Sequence, residues 1–83
     1  MYKVVFSKKA QLEFRDLRRS TACILLSWIS EYLEDCSNPR IRGRSITGEA
    51  NRWKYGVGKY RVLAEIEDER IVILDVVGGK GMQ

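Results

Sequence analysis

The chain has 83 residues, 45% hydrophobic and 31% charged, with a formal net charge of +4. That is the length of one domain and the balance of a globular one, which excludes a disordered tail and a two-domain protein. No apolar run approaches the ~20 residues of a spanning helix, so no membrane partner is expected.

The opening segment Tyr2–Phe6 is a β-branched and aromatic run and predicts a strand. It lacks a signal-peptide layout, which predicts a cytoplasmic protein. Ser7 is the N-cap candidate for a helix running to about Arg18. Ala10, Phe14 and Leu17 fall at i, i+4 and i+7, on one narrow face. Ser20 is the cap candidate for a second helix, where Leu25, Trp28, Ile29, Tyr32 and Leu33 form one apolar stripe. Arg19-Ser20 would then join the two as a tight helical hairpin. Cys23 and Cys36 lie near the two ends of the second helix, roughly 20 Å apart along it, too far for a disulfide. Both are expected as reduced packing residues.

Asn38-Pro39 ends the helix and opens a loop through Arg40–Gly48, which carries the alternation Arg40-Ile41-Arg42-Gly43-Arg44. Three strand-like runs follow. In Arg52–Val57, Trp53, Tyr55 and Val57 face one side, and Arg52, Lys54 and Gly56 the other. Gly58-Lys59 reads as a hairpin turn. Tyr60–Ile66 sets Tyr60, Val62, Ala64 and Ile66 against Arg61, Leu63 and Glu65. After a turn at Glu67–Arg70, Ile71–Val77 is nearly all apolar and predicts a central strand buried on both faces. The expected fold is α+β in the order β-α-α-β-β-β, a single domain over residues 1–83. An antiparallel meander would carry the helical hairpin on one face, with the first strand at the sheet's edge. The other face, with Lys54 and Arg61 across a hairpin, would be basic and open.

There is no histidine, which excludes Ser-His-Asp and Cys-His catalysis and any histidine zinc site. Two cysteines are too few for a four-thiolate metal site or a disulfide framework. Catalysis would have to use Lys, Arg, Tyr, Asp or Glu. The positive charge is concentrated: residues 40–61 carry +6 and residues 62–83 carry −3. Trp53, Tyr55 and Tyr60 are interleaved with the basic residues, a pattern that suits RNA, whose bases stack on aromatics. The same pattern also fits a solvated loop beside ordinary core aromatics.

The run Trp53-Lys54-Tyr55-Gly56-Val57-Gly58-Lys59-Tyr60-Arg61 resembles the W-x-Y-x-V-G-x-Y-R hairpin of the RelE/ParE toxin superfamily. Tyr2–Ala10 is similar to that family's first strand and helix start. Asn38-Pro39-Arg40, Thr47-Gly48-Glu49 and Val77-Gly78-Gly79-Lys80 fit in register. The resemblance covers essentially the whole chain. It implies a RelE-like fold and the toxin half of a bacterial type II toxin–antitoxin pair. RelE-type toxins enter the ribosomal A site and cut mRNA there, the RNA's own 2′-OH attacking the adjacent phosphate without metal or cofactor. The partners implied are the ribosome, mRNA and a cognate acidic antitoxin. Two alternatives stay open: a catalytically weakened relative that still binds antitoxin or ribosome, and a ParE-like inhibitor of DNA gyrase.

Cleavage by a 2′-OH needs a base, positive charge on the phosphate, and an acid for the leaving oxygen. The resemblance implies Lys54 as base, since a lysine serves when neighbouring cations lower its pKa. It implies Arg61 as the planar fork on the phosphate; the alternative for Arg61 is an ion pair with Glu65. Lys80 stands where the family usually has arginine and implies a point-charge contact. Arg40, Arg42, Arg44, Arg52 and Lys59 are expected to grip ribosomal RNA backbone, positioning rather than specifying. Three features depart from the pattern. Gly56 replaces a frequent arginine, Gly79 replaces a frequent histidine or lysine, and no tyrosine follows Tyr60.

Overall fold

The chain folds as β1 (Lys3–Phe6), α1 (Lys8–Asp16), α2 (Arg19–Tyr32), β2 (Arg44–Ser45), β3 (Arg52–Val57), β4 (Tyr60–Glu67) and β5 (Arg70–Val77). The computed structural model describes residues 1–78, so Gly79 and Lys80 lie outside the described residues.

Ser7 starts α1 as its position predicts. It is extended at φ −65°, ψ 164°, and its hydroxyl accepts from the Ala10 N–H at 3.0 Å. That satisfies one of the donors a first helical turn leaves open. α1 stops at Leu17, which turns extended. α2 then begins earlier than expected. Its N-cap is Arg18, and Ser20 lies inside the first turn instead of capping it. The link is the reason: Arg18 is already extended, and the Ala22 N–H closes the first turn on the Arg18 carbonyl at 2.9 Å.

The sheet order is β1-β5-β4-β3-β2. β3, β4 and β5 form the expected antiparallel meander. The first strand takes an edge, as expected, and runs parallel to β5, with Lys3 opposite Arg70 and Phe6 opposite Ile73. The sheet is therefore mixed but mostly antiparallel. β2, read in the sequence as loop, adds a two-residue strand to the other side of β3. Gly58 opens the β3–β4 turn at φ +61°, a left-handed value that glycine adopts without strain.

Both helices cover one face. Ala10, Leu25, Ile29 and Leu33 pack there on Tyr55, Val62, Ala64, Ile71 and Ile73, all buried. Each fully buried Leu or Ile contributes ~1.5–3 kcal/mol. The side-chain ion pairs are largely exposed, such as Lys3–Asp35 and Arg70–Glu67, so solvent screens them and they add little. The apolar core therefore holds the fold. β5 corrects one expectation: Ile71 and Ile73 are buried, but Val72 and Leu74 on its second side are only half-buried. No helix lies over that side. Both cysteines are free thiols; Cys36 is half-buried, whereas Cys23 is exposed instead of packed. No helix among the described residues is long and apolar enough to cross a membrane.

Candidate nucleic-acid interface

The sheet face opposite the helices turns basic at its β2–β3–β4 end. Strand register does the gathering. Arg44 stands opposite Lys54 across β2–β3, Lys54 opposite Leu63, and Gly56 opposite Arg61 across β3–β4. Paired residues share a face, so Arg44, Lys54 and Arg61 share this one.

Gly43 brings the preceding loop into place. A Cβ there would stand 2.7 Å from the rings of Trp53 and Tyr55 and 2.8 Å from the Lys54 carbonyl oxygen. Only a bare backbone fits against β3 that closely. Tyr55 fastens the start of the same loop from below: its buried hydroxyl donates to the Pro39 carbonyl at 2.6 Å. Burial pushes the Tyr55 pKa up, so it acts as a donor and not as an acid or base near neutrality.

The result is an open cavity of 610 Å³ lined by Arg42, Arg44, Lys54, Gly56, Gly58 and Arg61, among others. Lys54 is exposed and Arg61 half-buried. Arg61 Nη1 donates to the Tyr60 carbonyl at 3.1 Å, and the expected alternative of a Glu65 ion pair does not form. Among the described residues, no carboxylate lies within ion-pair distance of Arg42, Arg44, Lys54 or Arg61. Four cations held together without counter-charges leave a field that attracts a polyanion.

The other expected contacts lie elsewhere. Arg52 pairs with Glu49 at 3.4 Å and stands opposite Glu65. Arg40 lies over the Trp53 ring at 5.8 Å and donates to the Tyr2 hydroxyl at 3.4 Å. Lys59 sits in the hairpin turn and lines a different cavity with Arg18, Ile24 and Tyr60. Lys80 falls outside the described residues. The sequence reading placed Tyr32 only in the apolar stripe of α2, whereas its ring carries the Arg42 guanidinium 4.2 Å from its centroid. That reading missed the role of Gly43. The one sequence signal for that role was its place between Arg42 and Arg44. Among the described residues, no three His, Cys, Asp or Glu cluster to hold a metal ion.

Residues 4–81 match the family model described as the ParE toxin of type II toxin–antitoxin system, parDE. The chain belongs to the ParE toxin family. No curated protein sequence matches this ParE-family chain. Solved structures do. The RelBE2 toxin–antitoxin complex of Mycobacterium tuberculosis is 23% identical with a TM-score of 0.76, over 93% of this chain and 96% of that one. The isolated Escherichia coli RelE toxin is 23% identical with a TM-score of 0.76, over 94% and 84%. The archaeal RelE–RelB complex of Pyrococcus horikoshii is 23% identical with a TM-score of 0.71, over 94% of each chain. This ParE-family chain therefore has the RelE-like fold that its hairpin motif implied.

Proposed function

We propose that this toxin is a ribosome-dependent endoribonuclease that cuts mRNA in the A site and so inhibits translation. The observation that carries the reading is the basic cavity, where Arg42, Arg44, Lys54 and Arg61 converge without carboxylate partners among the described residues. Lys54 takes the proton of the RNA 2′-OH as the base, and the 2′-oxygen attacks the adjacent phosphorus. The bond from phosphorus to the 5′-oxygen breaks, leaving a cyclic phosphate and a 5′-OH that takes its proton from water. Arg61 holds two phosphoryl oxygens as their charge grows. Arg42 and Arg44 hold neighbouring backbone, and Lys80 supplies a further phosphate contact. The step needs no cofactor. Ribosome and mRNA place the protein in the cytoplasm, and an acidic antitoxin would neutralise the basic face. Two of the similar structures are toxin–antitoxin complexes.

The family match favours a second reading, inhibition of DNA gyrase, the activity of the ParE branch. Induced expression separates the two. Primer extension on cellular mRNA is expected to show new 5′ ends that disappear in Arg61→Ala. A DNA-damage response without mRNA cuts would establish the gyrase reading instead. Absence of both, with an acidic partner still copurifying, would mark a weakened toxin.

A further inference from the structure

Beside the basic cavity lies a smaller recess of 250 Å³, lined by Glu31, Tyr32, Asn38, Ile41 and Arg42, among others. Ile41 and Arg42 line both hollows and form the wall between them. Their side chains are not core. Ile41 is 72% exposed. Arg42 keeps one guanidinium face on Tyr32.

The polar groups of the recess are arranged. The Asn38 side-chain oxygen accepts from the Arg40 N–H at 3.0 Å, which leaves the amide NH₂ as its free donor. Glu31 makes no hydrogen bond or ion pair among the described residues. A free carboxylate, a cationic plane and an exposed aliphatic surface therefore meet in a hollow below the ~300–1,000 Å³ of most ligand pockets. That is room for one ring system.

We infer that this recess is a nucleobase subsite selective for guanine, occupied by the base of a nucleotide whose phosphate sits in the basic cavity. The inference rests on the phosphate-binding role proposed above for that cavity. A flat base would lie on the Ile41–Arg42 wall, since unstacked RNA bases settle on guanidinium planes as on aromatic rings. Of the four bases, only guanine presents two adjacent N–H donors on its Watson–Crick edge, and a carboxylate accepts both. Adenine and cytosine set an acceptor beside their amino group, and uracil flanks its single N–H with carbonyls. Glu31 would repel those acceptors, so the same group selects and rejects.

The test uses the full ¹⁵N-labelled chain titrated with the 5′-monophosphates of guanosine, adenosine, cytidine and uridine. All four share the phosphate, so all are expected to shift the amides of Lys54 and Arg61. The guanosine nucleotide is expected to bind roughly tenfold or more tightly and to shift residues 31–42 as well, as a bidentate base contact does. Glu31→Gln should bring it to the level of the other three; Glu31 is exposed at the end of α2, so this variant keeps the fold. Equal affinities for all four, or a guanosine preference that survives Glu31→Gln, would overturn the subsite while leaving the basic cavity intact. No shift at Lys54 and Arg61 with any nucleotide would overturn the phosphate-binding role itself.

Discussion

Arg61 lays its guanidinium over Gly56, its partner across the β3–β4 ladder: a Cβ at Gly56 would stand 3.7 Å from Arg61 Nη1. That is ordinary contact, so a small side chain fits. A glycine inside a strand costs ~0.5–1 kcal/mol relative to alanine, and Gly56→Ala should raise the unfolding free energy measured in urea by that much. Gly56→Arg restores the cation frequent in the family hairpin. Because one electrostatic donor is worth ~10²–10³ in rate, mRNA cleavage should rise at least roughly tenfold. A fall would show that Arg61 needs the open space.

Arg61 and Arg52 lie on neighbouring strands but differ in their partners. Arg52 is tied to Glu49, whereas Arg61 has no carboxylate partner among the described residues. Arg61→Ala should slow single-turnover cleavage on programmed ribosomes by ~10²–10³, and Arg61→Lys, which keeps charge but loses the fork, by less. Arg52→Ala should change it by less than ~3-fold, since a rim charge already paired adds little. Equal losses at the two positions would place the reacting phosphate elsewhere.

Gly43→Ala tests how the loop is held. The added methyl would meet two aromatic rings and a backbone oxygen within 2.8 Å. The backbone oxygen cannot swing aside, so the loop must lift from β3. Overpacking of this kind costs ~1–3 kcal/mol, read as a lower melting temperature. Loss of the β2–β3 pairing should show as faster hydrogen exchange at residues 44–45. An unchanged melting temperature would mean that the loop does not press on β3.

Tyr55→Phe removes one oxygen. The Pro39 carbonyl then loses the donor it has at 2.6 Å. An unsatisfied buried acceptor costs ~1–3 kcal/mol in chemical denaturation. Tyr55 does not itself line the basic cavity, so any fall in activity should track the loosened loop and not the chemistry.

Glu13 and Asp75 bring two carboxyls together where α1 meets β5. Burial raises the Glu13 pKa, and its hydrogen bond with Asp75 adds to the rise. Burial alone would raise Asp75 too, but hydrogen bonds from Glu13 and Lys9 outweigh it and hold Asp75 below its ordinary value. A carboxyl whose pKa rises on folding contributes stability below its unfolded pKa and loses it as pH climbs through the folded value. Glu13→Gln keeps an acceptor for the Val76 N–H, now 2.9 Å from Glu13 Oε1, and removes the charge. The variant should therefore be more stable than the wild type at about pH 7, with the gain vanishing by about pH 3.5. Thermal melts at the two pH values check it, and a gain that grows on acidification would reverse the assignment.

Much of this architecture was legible in the sequence because period and punctuation agreed. The alternation Trp53-Lys54-Tyr55 placed Lys54 on the open face, and Gly58 located the turn that brings Arg61 opposite Gly56. Three features were not legible, each for its own reason. The parallel direction of β1 depends on which neighbour it meets, and a four-residue strand carries no direction signal. β2 is two residues long and held in place by the close approach at Gly43, so no periodicity marks it. Charge counting also treated seven cations between residues 40 and 61 as equivalent. The fold separates them: Glu49 claims Arg52, Trp53 holds Arg40, and the turn carries Lys59 away.

The parallel pairing of β1 with β5 also sets a clock. Val4 meets Ile71 and Phe6 meets Ile73, so the first strand to be synthesised is the last to find its neighbour. Closure between such distant segments is slow, and a strand waits unpaired meanwhile. The helices have no finished sheet to lie on until β5 has emerged. A nascent copy thus keeps β1 unpaired until Arg70–Val77 has been made.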